Sequence, residues 1–129
     1  MVVNCPCGRS MAYEACCGLV HANIHNAITA EDLMRSRYSA FTQANGDYLM
    51  QSHHTTTRPI NEKEAIVAWA KSVRWGKLEV LNTALGQEAD LEGVVEFKAH
   101  FIEDGQADVI HETSFFTKEN GHWVYVKGV

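Results

Sequence analysis

GVVEFKAHFI, at residues 93–102, alternates apolar and polar side chains along its length. Successive side chains of a β-strand point to opposite faces of the sheet, so this alternation predicts a strand with one buried and one solvated face. Seven residues carry the pattern: Val95, Phe97, Ala99 and Phe101 on the apolar face, and Glu96, Lys98 and His100 on the polar face. This is the strongest strand signal in the chain.

Turn residues place this strand in an antiparallel meander. The EDG sequence at 103–105 follows it directly and predicts a hairpin turn. The segment 107–128 then holds two more strands, joined at the Asn-Gly pair 120–121, which is the preferred pair of a tight hairpin. With KLEVLNTAL (77–85) upstream, the sequence predicts four strands in the final third of the chain.

Residues 29–72 have the residue spacing of helices. Thr29 can cap the first helix, and Glu31 and Asp32 suit its first turn, where the helix dipole is positive. Apolar residues then recur every three or four positions and form one stripe: Leu33, Met34, Tyr38, Phe41 and Ala44. A second helix is predicted to begin at Asn61. Its apolar side consists of four residues: Ala65, Ile66, Ala68 and Trp69. Helices followed by an antiparallel meander predict an α+β fold, with helices covering one face of a curved sheet.

The composition is typical of one globular domain. A chain of 129 residues, 46% of them hydrophobic, can bury a core without help from disulfides. The net charge of −5 argues against a broad surface for polyanions such as nucleic acids. The N-terminal MVVNCPCG lacks the charged and apolar regions of a secretory signal, and no run approaches the roughly 18 apolar residues of a membrane span. We therefore expect a cytoplasmic protein, in a reducing compartment and without a membrane segment.

All four cysteines lie in CPCGRSMAYEACCG (5–18), as a C-x-C pair and, after eight intervening residues, a C-C pair. A reducing compartment favours a metal site, and two close pairs can supply the four ligands of a tetrahedral zinc ion. We predict four thiolate ligands for one structural zinc ion: Cys5, Cys7, Cys16 and Cys17. Two disulfides or a redox pair are the alternatives, although such close cysteines bridge poorly to each other. His21 and His25 are alternative ligands, but lone histidines in a loop are more often solvated.

The cysteine segment resembles the SEC-C motif, a small zinc-binding element also found at the C-terminus of the SecA translocation ATPase. Nine residues match it: Cys5, Pro6, Cys7, Gly8, Ser10, Tyr13, Cys16, Cys17 and Gly18. Together with LMRSRYSAF (33–41) and HETSFFTKENGHWVYVKG (111–128), the chain resembles the YchJ family of uncharacterised bacterial proteins over nearly its whole length. The resemblance implies a SEC-C element with its linker at 1–28 and an NTF2-like (cystatin-like) domain at 29–129.

The basic residues of the usual motif are mostly missing from this chain. Met11 and Ala12 stand in place of Gly-Lys, and Glu14 and Ala15 replace the lysines that flank the tyrosine. By the resemblance, those lysines contact partners in other SEC-C elements. We therefore do not expect this chain to bind nucleic acid or the ribosome.

Folds of the implied type often contain a cone-shaped cavity between the sheet and the helices. Arg37 lies four residues from both Leu33 and Phe41, so helical geometry places it on or beside the apolar stripe. Glu112 and Ser114 alternate along a strand with an apolar residue and share its face. We predict three residues as cavity lining: Arg37, Glu112 and Ser114. Weaker candidates are Arg35, His53, Trp75 and His100.

Arg37 and Glu112 are predicted to form a partly buried pair. The favoured interpretation is a salt bridge that links the helices to the sheet, because an arginine fork matches a carboxylate. The other interpretation is a general acid or base, with Glu112 tuned by burial and by the arginine.

The chain contains no recognisable catalytic set: no nucleophile–base pair, phosphate-binding glycine loop or metal-hydrolase histidine spacing. We therefore expect a small zinc-stabilised adaptor or ligand-binding protein, with a small enzyme (a lyase, isomerase or hydrolase) as the alternative. Its expected partner is a protein or a small molecule. The strand face with Trp123 and Tyr125 is a candidate dimer contact. The HHTTTRP segment (53–59) is predicted to be a solvated connection.

Overall fold

The computed structural model describes residues 4–129, in which four α-helices precede four β-strands. The helices are α1 (Cys17–Ala22), α2 (Ala30–Thr42), α3 (Gly46–Gln51) and α4 (Lys63–Ser72). The strands are β1 (Arg74–Leu85), β2 (Glu92–Glu103), β3 (Gln106–Glu119) and β4 (His122–Gly128). Short 3-10 helices lie at Tyr13–Ala15, Ile24–Asn26 and Ile60–Glu62. The predicted α+β order is confirmed.

The strands form one antiparallel sheet in the order β1-β2-β3-β4. Both predicted hairpin turns are present, with positive φ angles at Asp104 and Gly105 and again at Asn120 and Gly121. A tight type I′ hairpin requires positive φ at both central residues, which Asp, Asn and Gly adopt at low cost. Register shifts mark bulges in β1 and, at Val126, in β4, and bulges bend and twist the strands that contain them.

Strand β2 has the two faces that its sequence predicts. Its four apolar residues are at most 6% exposed: Val95, Phe97, Ala99 and Phe101. On the outer face of the sheet, His100 pairs with Glu79 of β1, and Glu96 pairs with His111 of β3. His100 is therefore on the face opposite the core and does not line a cavity.

Helix α2 begins at the predicted cap. Thr29 Oγ1 accepts a hydrogen bond from Asp32 N (3.1 Å), and Asp32 Oδ2 accepts one from Thr29 N (3.2 Å). This reciprocal capping box satisfies two backbone donors that a helix start leaves unpaired. Ala44 has a positive φ after the helix ends, and Asn45 then caps α3 by accepting from Tyr48 N.

The segment after α3 is only partly the predicted solvated connection, since Thr55–Thr57 are exposed but the two residues before them pack on β4. Tyr125 N donates to Ser52 O, and His54 N donates to Tyr125 O, both at 2.8 Å, so this segment runs beside β4. Helix α3 ends at Gln51, and these bonds hold His53 against the core, where it is 9% exposed.

Two other apolar faces differ from the predictions. The inner side of α4 includes Ile66, Trp69 and Ala70, which lie at positions i, i+3 and i+4, whereas Ala65 and Ala68 are exposed. On β4, Trp123 is 1% exposed within the core, so its strand face packs inward. A homodimer through the sheet would therefore use the opposite face. None of the described helices is long and apolar enough to cross a membrane.

Candidate metal centre and candidate cavity

The cysteine segment folds back on itself through short backbone contacts. Cys5 N donates to Met11 O (2.6 Å), and Gly8 N donates to Cys5 O (3.1 Å). Gly8 has a φ of 97°, a left-handed conformation that favours glycine. The 3-10 turn at Tyr13–Ala15 then leads into α1, which begins at Cys17. These helical turns return the second cysteine pair to the first.

The four cysteine sulfurs lie within 4.8 Å of one another. Cys7 Sγ and Cys16 Sγ are 3.6 Å apart, and none of the four cysteines forms a disulfide. A tetrahedral ion with metal–sulfur bonds of about 2.3 Å would separate its sulfurs by about 3.8 Å. Cys5, Cys7 and Cys17 are buried, and Cys16 is partly exposed. The cluster therefore has the donor set and the spacing to hold one metal ion.

The close packing of the cysteines shifts the pKa values of three of them in opposite directions. The pKa of Cys7 is lowered to about 5, because Cys17 hydrogen-bonds to its sulfur. Burial is the main cause that raises the pKa of Cys16 to about 11, and the hydrogen bond with Cys7 raises the pKa of Cys17. Of these three residues, Cys7 is the one whose thiolate is favoured at neutral pH. A bound divalent ion extends this to the others, because coordination deprotonates a thiol.

Two side chains of helix α2 contact the cysteine segment directly. Ser39 is fully buried, and its Oγ lies 3.6 Å from Cys5 Sγ. Arg35 Nη1 donates to Cys7 O (2.7 Å), while its Nε pairs with Glu31 (2.8 Å). Arg35, a weak candidate for the cavity, therefore fastens the cysteine segment to α2. Arg9 adds an ion pair to the first turn of the same helix.

The two histidines near the cluster are not part of it. His21 Nε2 donates to Ser36 O (2.8 Å), so its Nδ1 accepts from the Tyr13 hydroxyl (2.6 Å). Burial lowers the pKa of His21, which favours this neutral form. The prediction of a solvated His21 is wrong, because the residue lies on α1 facing α2. His25 is exposed and lies edge-on to His122.

A cavity of about 260 Å³ lies between the helices and the sheet. Much of its wall is aromatic: Tyr38, Phe41, Trp69, Trp75, Phe97 and Tyr125. The predicted lining residues Arg37 and Glu112 face it, as do the weaker candidates His53 and Trp75. Ser114 does not line it; this fully buried residue donates its hydroxyl to Glu112 Oε2.

Arg37 and Glu112 do not form the predicted ion pair. Arg37 Nη1 donates to Leu49 O (3.0 Å) and Ser52 Oγ (2.8 Å), and its guanidinium carbon lies 4.7 Å from the centre of the Tyr125 ring. The Tyr125 hydroxyl in turn donates to Glu112 Oε2 (3.3 Å). The tyrosine ring therefore connects the two residues that were predicted to touch.

The polar end of the cavity carries its positive charge on Arg37. Burial lowers the pKa of Arg37 to about 10, which leaves the residue protonated at neutral pH. Burial and the Arg37 charge lower the pKa of His53 to about 4, so its ring is neutral. Burial raises the pKa of Tyr125 to about 12, which keeps its hydroxyl a donor.

Comparison with known proteins assigns the fold and the family. A family model described as "YchJ, middle NTF2-like domain" matches residues 29–128. The chain belongs to the YchJ-like family. It is 41% identical to a UPF0225 protein of Vibrio parahaemolyticus over 128 residues, covering 99% of this chain and 75% of the relative. A UPF0225 protein of Streptomyces coelicolor is 43% identical over 124 residues, covering 96% of this chain and 93% of the relative.

Two solved structures of SEC-C motif proteins resemble this YchJ-like protein. The Rhodopseudomonas palustris protein has a TM-score of 0.87 and 32% identity, and the match covers 98% of both chains. The Psychrobacter arcticus protein has a TM-score of 0.80 and 30% identity, over 95% of this chain and 80% of that one. The predicted NTF2-like fold with an N-terminal SEC-C motif is confirmed.

Two residues of the polar end were missed or misplaced in the sequence. Ser52, which holds Arg37, gives no pattern of its own. Tyr125 was considered only as a dimer contact, on the same strand face as Trp123. Trp123 is buried, and the two-residue spacing places the Tyr125 side chain inward with it, where it lines the cavity.

The absence of an Arg37–Glu112 ion pair leads to a stability prediction. Glu112→Gln keeps an oxygen that can accept from the Ser114 and Tyr125 hydroxyls, so it should lower the free energy of unfolding by no more than about 1 kcal/mol. Breaking a buried ion pair would cost roughly 3–5 kcal/mol. Urea denaturation at neutral pH measures the difference, with Glu79→Gln on the outer face as the matched control. A loss of 3 kcal/mol or more would restore the salt-bridge interpretation.

Proposed function

We propose that this YchJ-like protein binds a small, mostly apolar molecule in its NTF2-like cavity, while its SEC-C element holds one structural zinc ion. The observation that carries the proposal is the cavity of about 260 Å³, with aromatic walls and a few convergent polar groups at one end. Small-molecule sites in proteins typically have this combination.

A packing defect is a poor explanation for this cavity. Protein interiors are close-packed, and an empty volume lined by large side chains costs stability that a few larger residues would recover. Here the lining includes a charged residue, Arg37, which is itself expensive to bury. Occupation by a ligand accounts for both features.

Zinc is the metal that best fits the cysteine cluster. Soft thiolate donors select zinc, copper(I) or iron–sulfur clusters, and four sulfurs at tetrahedral spacing suit a single zinc ion. Cys5, Cys7, Cys16 and Cys17 would fill all four positions and leave none open for a substrate. The zinc ion would therefore supply folding free energy rather than chemistry. This assignment agrees with residence in the reducing cytoplasm, where thiolates persist. It also agrees with a division of the chain into a SEC-C element with its linker at 1–28 and an NTF2-like domain at 29–129.

Metal analysis tests the zinc assignment directly. We expect one zinc ion per chain by elemental analysis of untagged protein, and release of four titratable thiols when a strong chelator removes it. The thermal unfolding midpoint should fall on removal, because bound metal stabilises only the folded element. Protein without stoichiometric metal, or with cysteines in disulfides, would contradict the assignment.

Ser39 provides a more specific test. Its hydroxyl lies against the sulfurs, so Ser39→Ala should weaken zinc binding by about tenfold or more, as loss of outer hydrogen bonds does at other metal sites. Ser36→Ala is the matched control, since Ser36 is also fully buried on α2 but bonds to the Tyr48 hydroxyl. Competition with a chromophoric chelator measures both affinities. Equal zinc affinity in the two variants would show that Ser39 does not act on the metal.

Filling the cavity tests the ligand-binding part. Phenylacetamide, a neutral aromatic probe, should bind the wild type, and Ala99→Met should weaken that binding at least tenfold because the longer side chain occupies the cavity. The substitution should cost little stability, since the side chain fills existing space. Ala84→Met, on an exposed part of β1, should leave binding unchanged. Trp69 and Trp75 line the cavity, so their fluorescence reports occupation. Equal affinity in both variants would place the probe elsewhere.

An enzyme working in the same cavity is the second candidate. Glu112 favours it, because this carboxylate lines the cavity and could exchange a proton with a bound molecule. The candidate lyase, isomerase or hydrolase would require Glu112 for turnover of a ligand that Glu112→Gln still binds. The hydroxyl donors on Glu112 fit a fixed carboxylate in either case.

A further inference from the structure

Arg37 presents free hydrogen-bond donors to the cavity. The residue is 7% exposed, and both of its hydrogen bonds leave from Nη1. Nε and Nη2 donate to no atom of the described chain. Every solvent-inaccessible side-chain nitrogen or oxygen of the described residues has a partner, so these two atoms must face open space. At Arg37 that space is the cavity.

The positive charge of Arg37 lacks a counterion in the described part of the chain. No described carboxylate lies within 4.0 Å of its nitrogens. Glu112 is the acidic residue among the described lining, and its Oε2 is already engaged by the hydroxyls of Ser114 and Tyr125. A buried cation is costly unless it is paired, so an anion supplied by a ligand would be stabilised at this position.

The rest of the cavity fits an apolar body. Trp69 and Trp75 meet edge-to-face with ring centres 5.4 Å apart, and Tyr38 and Phe41 pack against Trp75. The volume of about 260 Å³ holds on the order of ten non-hydrogen atoms, at roughly 30 Å³ for each water-sized group. The ligand is therefore small, with one charged end and a hydrocarbon or aromatic remainder.

We propose that the cavity binds a small monocarboxylate, whose carboxylate accepts hydrogen bonds from Nε and Nη2 of Arg37 and whose apolar body packs against Trp69 and Trp75. This inference rests on the proposed ligand-binding function. The Nε–Nη2 edge of a guanidinium matches the two oxygens of a carboxylate. A single cation with Glu112 nearby suits a monoanion better than a doubly charged phosphate.

Matched probes separate the charge of the ligand from its shape. Metal-loaded protein is titrated by calorimetry at pH 7.5 with phenylacetate, octanoate, phenylacetamide and benzyltrimethylammonium. We expect phenylacetate to bind about 10 to 100 times more tightly than phenylacetamide, the range that charge-assisted hydrogen bonds give. Once phenylacetate binds more tightly than phenylacetamide, comparison with octanoate distinguishes an aromatic source of the carboxylate from a fatty-acid one, and either source supports the inference.

Arg37 variants assign the effect to one residue. Arg37→Met should reduce phenylacetate affinity to that of phenylacetamide, and Arg37→Lys should retain part of the preference because it keeps the charge but loses the paired donors. Arg74→Met, at an exposed position, removes the same charge and should change nothing. If Arg37→Met does not fold, the preference of the wild type for carboxylate over amide still decides the point.

The remaining outcomes count against the inference in distinguishable ways. Equal affinity for phenylacetate and phenylacetamide would overturn the carboxylate assignment and leave ligand binding intact. Tighter binding of benzyltrimethylammonium would overturn it in favour of a cation held by Glu112 and the aromatic walls. Failure of all four probes to bind would contradict the ligand-binding function as well.

Discussion

Helix α2 is the central element of the structure, because other parts of the chain pack against it on two sides. One side packs on the sheet and the other on the cysteine segment, and eight of its thirteen residues are buried. Water reaches little of a helix buried this widely, so each buried polar side chain needs at least one hydrogen-bond partner in the protein. Ser36, Arg37 and Ser39 do so with Tyr48, Ser52 and a cysteine sulfur, respectively.

The metal centre and the cavity therefore share one wall. Ser39 reaches the sulfurs, while Arg37, two positions earlier, points to the cavity, as the rotation of about 100° per residue allows. Hydrogen bonds also connect α1, α2 and α3 in the part of the fold between the two regions. His21 bonds to the Ser36 carbonyl, and the Ser36 hydroxyl bonds to Tyr48 of α3. The next residue of α3, Leu49, accepts from Arg37.

Local sequence patterns predicted the elements of the fold because each depends on neighbouring residues. The alternation in β2, the capping box at Thr29 and the Asn-Gly hairpin pair are properties of a few adjacent positions. The cysteine cluster was also predictable, since the sequence contains its four donors within fourteen residues. The coarse architecture followed from the order of these elements.

The polar end of the cavity was only partly predictable, because it depends on what lies between residues far apart in sequence. Spacing placed Arg37 and Glu112 on facing surfaces, and both do line the cavity. It could not show that the Tyr125 ring would stand between them, or that segment 52–54 would pair with β4. The hydroxyl of Ser114 likewise supports Glu112 instead of lining the cavity.

These long-range contacts indicate that the fold holds the polar end of the cavity in one fixed arrangement. Arg37 is positioned by α2, held by the end of α3 and covered by a ring from β4, so three elements fix one guanidinium. A buried charge that has no role in binding usually has its desolvation cost reduced by a neighbouring carboxylate or by contact with solvent. Here the partners are neutral, and they occupy Nη1 while the opposite edge of the guanidinium stays free. Fixed orientation of a charge toward an apolar space is the arrangement that recognition of one end of a small molecule requires.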